Sequence, residues 1–126
     1  MHREAHILVV DDCPDHREFI SEALEERGFK VTTAENASQA ESLAAAAPHG
    51  FRALVTDYHM HPGPNGADLI RVLYQKNAAI EMYILTSSDP FIEKHAKKIL
   101  STVVNTPLHL LEKPYRFDLL LQLVEV

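Results

Sequence analysis

Residues 7–15, near the N-terminus, read Ile-Leu-Val-Val-Asp-Asp-Cys-Pro-Asp. Its four consecutive apolar residues predict a short buried strand. Two adjacent carboxylates, Asp11 and Asp12, stand at the end of this strand, where they repel each other and gain nothing from burial. The pattern therefore indicates that a cation lies beside them.

Size and composition predict one soluble domain, covering residues 1–126. Of these residues, 46% are apolar and 24% are charged, which suits a single hydrophobic core. The formal net charge of −6 argues against direct binding to nucleic acid. Cys13 is the single cysteine, so no intramolecular disulfide forms and a reducing compartment fits. Because the sequence shows neither a signal peptide nor a long apolar stretch, we expect a cytoplasmic protein with no membrane partner.

Five short apolar runs alternate with five segments of helical spacing. The runs, each a predicted strand, are Ala5–Val10, Phe29–Thr32, Ala53–Thr56, Met82–Leu85 and Leu108–Leu111. The first helical segment places Phe19, Ile20, Ala23 and Leu24 on one apolar face and ends at Gly28. This alternation predicts an α/β domain whose parallel sheet is covered by helices on both faces. Right-handed crossovers then place the carboxyl ends of all strands along one edge.

Polar side chains follow four of the five predicted strands. Asp11 and Asp12 follow the first strand, Asp57 the third, Thr86 the fourth and Lys113 the fifth. Clustered carboxylates are ligands for Mg²⁺ or Mn²⁺ rather than for zinc. A carboxylate, a divalent metal, a lysine and a hydroxyl are the groups needed to receive a phosphoryl group on Asp57.

Each of these residues also has an ordinary structural interpretation. Asp12 could cap the first helix, Asp57 could belong to a turn, Thr86 could cap a helix and Lys113 could be a surface lysine. Their joint position at four parallel strand ends favours a common site. The basic cluster at residues 94–98, by contrast, predicts a solvent-exposed helix face rather than a partner site.

The motifs resemble those of bacterial response-regulator receiver domains, the family of the chemotaxis regulator. They are Leu-Val-Val-Asp-Asp at residues 8–12, Val-Thr-Asp-Tyr-His-Met at 55–60, Ile-Leu-Thr-Ser at 84–87 and Glu-Lys-Pro-Tyr at 112–115. The resemblance covers nearly the whole chain. It implies a single flavodoxin-like (βα)5 domain with the strand order 2-1-3-4-5.

The resemblance also implies a role for each residue of the site. Asp57 is the phosphoacceptor, and Thr86 and Lys113 contact the phosphoryl oxygens. Mg²⁺ is held by Asp12, by Asp57 and by the backbone carbonyl of His59. The Asp11 carboxylate helps to hold Mg²⁺ mainly through water.

The resemblance also implies two partners, one that donates the phosphoryl group and one downstream protein that responds to it. The donor is the phosphohistidine of a sensor histidine kinase or of a histidine phosphotransfer protein. Phosphorylation then shifts an inactive–active equilibrium and switches binding to a downstream protein. We expect the domain to promote only its own phosphorylation and dephosphorylation, and therefore not to be an enzyme with an external substrate.

Three features differ from the usual pattern of this family. Many members have an aromatic residue three positions before the lysine, where this chain has Leu110. The loop at residues 58–62 has its proline one place later than usual, and we expect His59 and His61 to be loop residues rather than ligands of a transition metal. The segment between the fourth and fifth strands is several residues longer than is typical, with the extra length expected around residues 101–107.

Three other functions fit parts of the sequence. The domain could be part of a larger regulator, hybrid kinase or output enzyme, rather than the stand-alone receiver that we expect. A Mg²⁺-dependent phosphohydrolase of the dehalogenase-like type needs an Asp-x-Asp pair after the first strand, whereas this chain has Asp-Asp-Cys at residues 11–13. A phosphate-independent binding module is disfavoured because every member of the acceptor constellation is present.

Overall fold

A computed structural model of the protein describes residues 5–47, 49–60 and 63–125. Within them, five strands alternate with five helices, as the sequence predicts. The strands are β1 (His6–Val10), β2 (Lys30–Ala34), β3 (Ala53–Asp57), β4 (Tyr83–Ser87) and β5 (Leu108–Glu112). The helices are α1 (Pro14–Glu26), α2 (Ala37–Ala46), α3 (Gly66–Gln75), α4 (Pro90–Leu100) and α5 (Phe117–Val124). None of the helices described here is long and apolar enough to cross a membrane.

The strands form one parallel sheet in the order β2-β1-β3-β4-β5, which confirms the predicted order. Consecutive side chains of a strand point to opposite faces, and each face of this sheet has its own core. Leu8 and Leu54 belong to the core under α2, α3 and α4, whereas Ile7 and Ala53 belong to the core under α1 and α5. The apolar runs are continuous because the central strands are buried on both faces.

Local sequence signals explain where the helices begin. The side chains of Asn36 and Asn65 each accept a 2.8 Å hydrogen bond from the backbone N–H three residues further on, at the starts of α2 and α3. The N-cap of α1 is Cys13, and its side chain makes no capping hydrogen bond. The alternative that Asp12 occupies the N-cap of the first helix is therefore wrong.

Two expectations about the elements need correction. Four of the five strands extend one or two residues beyond their predicted ends, so that Asp57 and Thr86 lie inside β3 and β4 rather than after them. Phe19 does not share the buried face of α1, because its side chain is 62% exposed while Leu24 is fully buried. At 3.6 residues per turn these two positions are about 140° apart around the helix axis, too far for one core contact.

Gly66, the first residue of α3, packs directly against the end of β3. A Cβ atom at this position would lie 2.2 Å from the carbonyl oxygen of Asp57 and 2.9 Å from Cδ1 of Leu85. Because the backbone oxygen can yield only if β3 shifts, we expect Gly66→Ala to lower the free energy of unfolding by about 3 kcal/mol. Urea denaturation followed by circular dichroism measures this loss.

Gly28→Ala provides the matched control for this substitution. Nothing lies within 4 Å of the added Cβ there, and only the φ of +92° opposes the change. We expect a smaller loss of about 1 kcal/mol. An equal or smaller loss at Gly66 than at Gly28 would contradict the close approach of α3 to β3.

Candidate functional site

The register of the sheet brings three strand ends side by side. Thr56 pairs with Val10 across β3 and β1, and Asp57 pairs with Thr86 across β3 and β4. Asp11 directly follows Val10, so it lies beside Asp57. Neighbouring strands are about 4.8 Å apart, which places these side chains within reach of one another.

Backbone hydrogen bonds hold the loops that continue from β1, β3 and β5. In each case the first residue after the strand donates its N–H to the neighbouring strand. The pairs are Asp11 to Ala34 at 3.1 Å, Tyr58 to Thr86 at 2.8 Å, and Lys113 to Ser87 at 2.8 Å. The site is therefore built on rigid extensions of the sheet rather than on mobile loop tips.

Asp11, Asp12 and Asp57 form a compact acidic cluster at this edge, as the sequence predicts. One carboxylate oxygen from each lies within 4.8 Å of the other two. Asp11 is 8% exposed, and its Oδ1 accepts a 2.9 Å hydrogen bond from the backbone N–H of Cys13. Hard oxygen ligands at this separation are the kind that bind Mg²⁺.

Lys113 supplies a positive charge to the acidic cluster. Its Nζ lies 3.2 Å from Oδ1 of Asp57 and 3.8 Å from Oδ2 of Asp11. Only 22% of the Lys113 side chain is exposed, so its interpretation as a free surface lysine is wrong. A charge pair of this kind, partly removed from water, is screened much less by salt than a surface pair.

The electrostatic balance at Asp57 is unfavourable to its charged form. Burial raises the pKa of the Asp57 carboxyl above its ordinary value, the ammonium of Lys113 opposes this, and the carboxylates of Asp11 and Asp12 add to it. The pKa remains raised, so Lys113 does not fully offset the combined effect of burial and of the two neighbouring carboxylates.

Thr86 is buried in the sheet beside the acidic cluster, whereas His59 is exposed in the loop after β3. Thr86 is a buried residue of β4, 3% exposed, so its interpretation as a helix cap is wrong. His59 is exposed in the loop after β3, and its ring packs edge-on against Tyr58 with ring centroids 4.9 Å apart. The role of the His59 carbonyl in metal binding stays a prediction, and His61 lies outside the described residues.

Three residues beside the cluster have no role assigned from the sequence. His16 Nδ1 lies 3.9 Å from Asp11 Oδ2, and Arg17 donates a 2.7 Å hydrogen bond to the carbonyl oxygen of Asp11. Their positions in the first turn of α1 could have revealed them, because that helix begins three residues after Asp11. Tyr115 is the third: burial and the charges of Asp11 and Asp57 raise its pKa to about 12, which no local pattern indicates.

Leu110 occupies the place where an aromatic residue is usual. It lies in β5 opposite Leu85 and is partly buried against the core under α2, α3 and α4. A cavity of about 300 Å³ adjoins it and is lined by residues of α4, β5 and α5. The fifth strand therefore has no large ring at this position that could rotate inward.

A parallel α/β sheet with three carboxylates and a lysine at its carboxyl edge defines the class of phosphoacceptor domains. A sequence model of the response regulator receiver domain matches residues 7–125. The chain therefore belongs to the response regulator receiver domain family, and its acidic cluster of Asp11, Asp12 and Asp57 fits the phosphorylation site of that family.

Individual relatives agree with this assignment. A response regulator receiver protein of Anaeromyxobacter is 33% identical over 103 residues, which cover 80% of this chain and 42% of the relative. The two-component response regulator ORR6 of rice is 29% identical over 98 residues, covering 77% of this chain and 57% of the relative. The chain spans between 24% and 57% of the length of the curated relatives it matches.

Solved structures share the fold over almost the whole chain. The response regulator TrrA of Thermotoga maritima, crystallised in complex with Mg(2+)-BeF, has a TM-score of 0.79 and 26% identity, covering 96% of both chains. The chemotaxis protein CheY4 of Vibrio cholerae has a TM-score of 0.80 and 24% identity, covering 98% of both chains. Because CheY4 is only 24% identical in sequence, its similarity to this chain shows the fold alone.

We expect Asp57→Asn to raise the free energy of unfolding at pH 7 without divalent metal. Because the pKa of Asp57 is raised on folding, the folded protein binds more protons than the unfolded chain between the ordinary and the raised pKa. The contribution of Asp57 to stability therefore falls as pH rises through that window, and it is unfavourable above it. Urea denaturation should show the gain at pH 7 and a smaller gain as pH falls below the ordinary pKa of an aspartate.

Asp118→Asn is the control, because the pKa of Asp118 is shifted in the opposite direction from that of Asp57. The hydrogen bond from Arg116 lowers the pKa of Asp118, so removing its charge should bring no gain in stability at pH 7. A loss of stability in Asp57→Asn, or an equal gain in both variants, is inconsistent with the electrostatic balance described for the acidic cluster.

Proposed function

We propose that this domain accepts a phosphoryl group on Asp57 and thereby switches its binding to a downstream protein. The donor is a phosphohistidine of a sensor histidine kinase or of a histidine phosphotransfer protein. The observation that carries this proposal is the meeting of Asp57 with Lys113, at 3.2 Å, beside two further carboxylates. A nucleophilic carboxylate, a fixed cation and oxygen ligands for a metal are the groups that phosphoryl transfer needs.

The acidic cluster fits Mg²⁺, because three carboxylate oxygens lie within 4.8 Å of one another. We propose that Asp12, Asp57 and the backbone carbonyl of His59 hold the ion, and that Asp11 acts mainly through water. When bound, the divalent cation offsets the negative charge of the acceptor and of the incoming phosphoryl group. The Mg(2+)-BeF complex of TrrA, a relative 26% identical in sequence, supports this assignment.

The residues of the chain have separate parts in the transfer. The Asp57 carboxylate attacks phosphorus, and the new O–P bond forms as the P–N bond to the donor imidazole breaks. Lys113 and the hydroxyl of Thr86, at the neighbouring position of β4, stabilise the charge on the phosphoryl oxygens. Water later hydrolyses the aspartyl phosphate and releases inorganic phosphate. The domain thus catalyses its own modification and no turnover of an external substrate.

A second candidate is that the domain is the input module of a larger regulator. The observation in its favour is that the matched relatives are about twice to four times as long as the aligned region. In that case phosphorylation of Asp57 controls an attached output segment rather than a separate protein. The chemistry at the acceptor site is the same for both candidates.

Asp57→Asn should abolish phosphorylation by acetyl phosphate in the presence of Mg²⁺. The substitution keeps the shape of the side chain but removes the nucleophilic carboxylate. Intact-mass spectrometry should show the phosphorylated species for the wild type and for Asp68→Asn, a control aspartate of α3, but not for Asp57→Asn. In the same buffer we expect no steady-state hydrolysis of p-nitrophenyl phosphate.

Two results would overturn the assignment of the acceptor. Full labelling of Asp57→Asn would relocate the phosphoryl group, with Asp11 and Asp12 the next residues to test. Sustained turnover of p-nitrophenyl phosphate that depends on Asp57 would identify a phosphohydrolase instead.

Asp12→Ala should weaken Mg²⁺ binding by about ten-fold or more, because it removes one of the few direct protein ligands. Mg²⁺ at ten times its dissociation constant should stabilise the wild type by about 1.4 kcal/mol. Thermal unfolding across an Mg²⁺ series measures the affinity of each variant. Asp15→Ala, at an exposed carboxylate three residues away, should behave as the wild type, and unchanged affinity in Asp12→Ala would remove Asp12 from the metal site.

A further inference from the structure

The loop that joins β1 to α1 carries two of the three carboxylates of the acidic cluster, and Arg17 of α1 closes this loop. The guanidinium of Arg17 donates a 2.7 Å hydrogen bond from Nη1 to the backbone carbonyl oxygen of Asp11. The backbone N–H of Arg17 donates a 3.0 Å bond to the carbonyl oxygen of Cys13. The N–H of Cys13 in turn donates a 2.9 Å bond to Oδ1 of Asp11. Asp12 therefore lies in a loop that is held by hydrogen bonds at the residues on both sides of it.

The bond to the Asp11 carbonyl oxygen also fixes the direction of the residue that follows. A peptide group is planar, so its carbonyl oxygen and the N–H of the next residue rotate together. Holding the Asp11 oxygen thus sets the orientation of the Asp12 backbone and limits the directions in which the Asp12 carboxylate can point. The N–H of Asp11 is bonded to Ala34 of β2 at 3.1 Å, so the loop starts from a fixed position at the end of the sheet.

The geometry of α1 explains why the Arg17 side chain reaches this loop. Pro14 opens the helix, and its ring fixes the backbone at the first helical position. Helical side chains are tilted toward the N-terminus, so the stem of Arg17 runs back over the first turn to Asp11, six residues earlier. Helix stability alone does not explain an arginine here, because a positive charge is unfavourable at the amino end of a helix dipole.

Arg17 acts on the acidic cluster through the backbone rather than as its main counter-charge. The charges that shift the pKa of Asp57 are those of Lys113, Asp11 and Asp12. The ammonium of Lys113 also lies 3.8 Å from the Asp11 carboxylate. The hydrogen bond of Arg17, by contrast, goes to a backbone oxygen. What this bond controls is the shape of the loop that carries Asp12.

We propose that Arg17 is a positioning residue for the Mg²⁺ site, and that its hydrogen bond to the Asp11 carbonyl oxygen orients the Asp12 carboxylate toward the ion. This inference rests on the proposed function, in which Asp12 is a direct ligand of Mg²⁺. A carboxylate that is already oriented loses less conformational entropy when a metal ion fixes it. Groups that orient metal ligands in this way change metal affinity about ten-fold or more when they are removed.

Arg17→Met tests this role, because it keeps an unbranched stem and removes both the hydrogen-bond donor and the charge. Thermal unfolding across an Mg²⁺ series should give an affinity for Mg²⁺ about ten-fold weaker than that of the wild type. Arg17→Lys should recover part of this loss, since one nitrogen makes the bond and the planar fork of a guanidinium is not required. With acetyl phosphate, Arg17→Met should raise the Mg²⁺ concentration for half-maximal labelling of Asp57 about ten-fold and change the maximal rate little.

Arg52→Met is the matched control. Arg52 also donates a hydrogen bond from Nη1 to a backbone carbonyl oxygen, that of Val124, at 2.9 Å. It lies just before β3, at the edge of the sheet opposite the acidic cluster. Its removal should lower the free energy of unfolding and leave the affinity for Mg²⁺ unchanged. A purely structural role of Arg17 would give this same result in Arg17→Met.

A double substitution shows whether Arg17 acts through Asp12. In the Asp12→Ala background, Arg17→Met should cause no further loss of affinity for Mg²⁺, because the ligand that Arg17 orients is gone. A guanidinium that acted only through its charge would change the affinity in both backgrounds, since Asp11 and Asp57 remain.

Two results would overturn the positioning role while the proposed function stands. In the first, the wild type responds to Mg²⁺ but Arg17→Met binds the ion as tightly, or loses no more affinity than Arg52→Met. In the second, the losses from Arg17→Met and Asp12→Ala are additive. A wild type that gains no stability from Mg²⁺ and is not labelled on Asp57 would instead overturn the proposed function, and the role of Arg17 with it.

Discussion

The mutual repulsion of three carboxylates at one end of the sheet is the constraint on which the site depends. Asp11, Asp12 and Asp57 approach within 4.8 Å, and the Lys113 ammonium lies 3.2 Å from Asp57. The pKa of Asp57 nevertheless stays above its ordinary value, chiefly because the carboxyl is buried and also because Asp11 and Asp12 repel its charge. A further cation beside the three carboxylates would offset both effects, which gives a physical reason for two adjacent aspartates at the end of an apolar strand.

The rigidity of the sheet makes such a repulsive arrangement possible. Asp57 belongs to β3, and the backbone bonds from Asp11 and Lys113 to neighbouring strands hold those residues in place. Separating the carboxylates would require a shift of strands whose side chains fill two cores. Packing of the apolar side chains therefore holds the charges together, and α1 adds a direct contact through the hydrogen bond from Arg17 to the carbonyl oxygen of Asp11.

The start of α4 is connected to the same strand ends through short hydrogen bonds. Ser87, the residue after Thr86, accepts a 3.1 Å hydrogen bond at its hydroxyl from the N–H of Asp89. The Asp89 carboxylate in turn accepts a 3.0 Å bond from the N–H of Phe91 in the first turn of α4. With Leu110 in place of a large ring on β5, this connection links the neighbourhood of Thr86 to the surface of α4 by backbone and side-chain bonds alone.

The amino-acid sequence was enough to predict the alternation of strands and helices, the parallel sheet and the meeting of Asp11, Asp57 and Lys113 at one edge. These features follow from local periodicity and from the rule that parallel strands end on the same side. The tertiary structure decided the register that sets Asp57 opposite Thr86 and the reach of the Lys113 ammonium. It also decided the raised pKa values and the exposure of Phe19, because burial and contact between distant segments depend on how the helices pack and leave no local pattern.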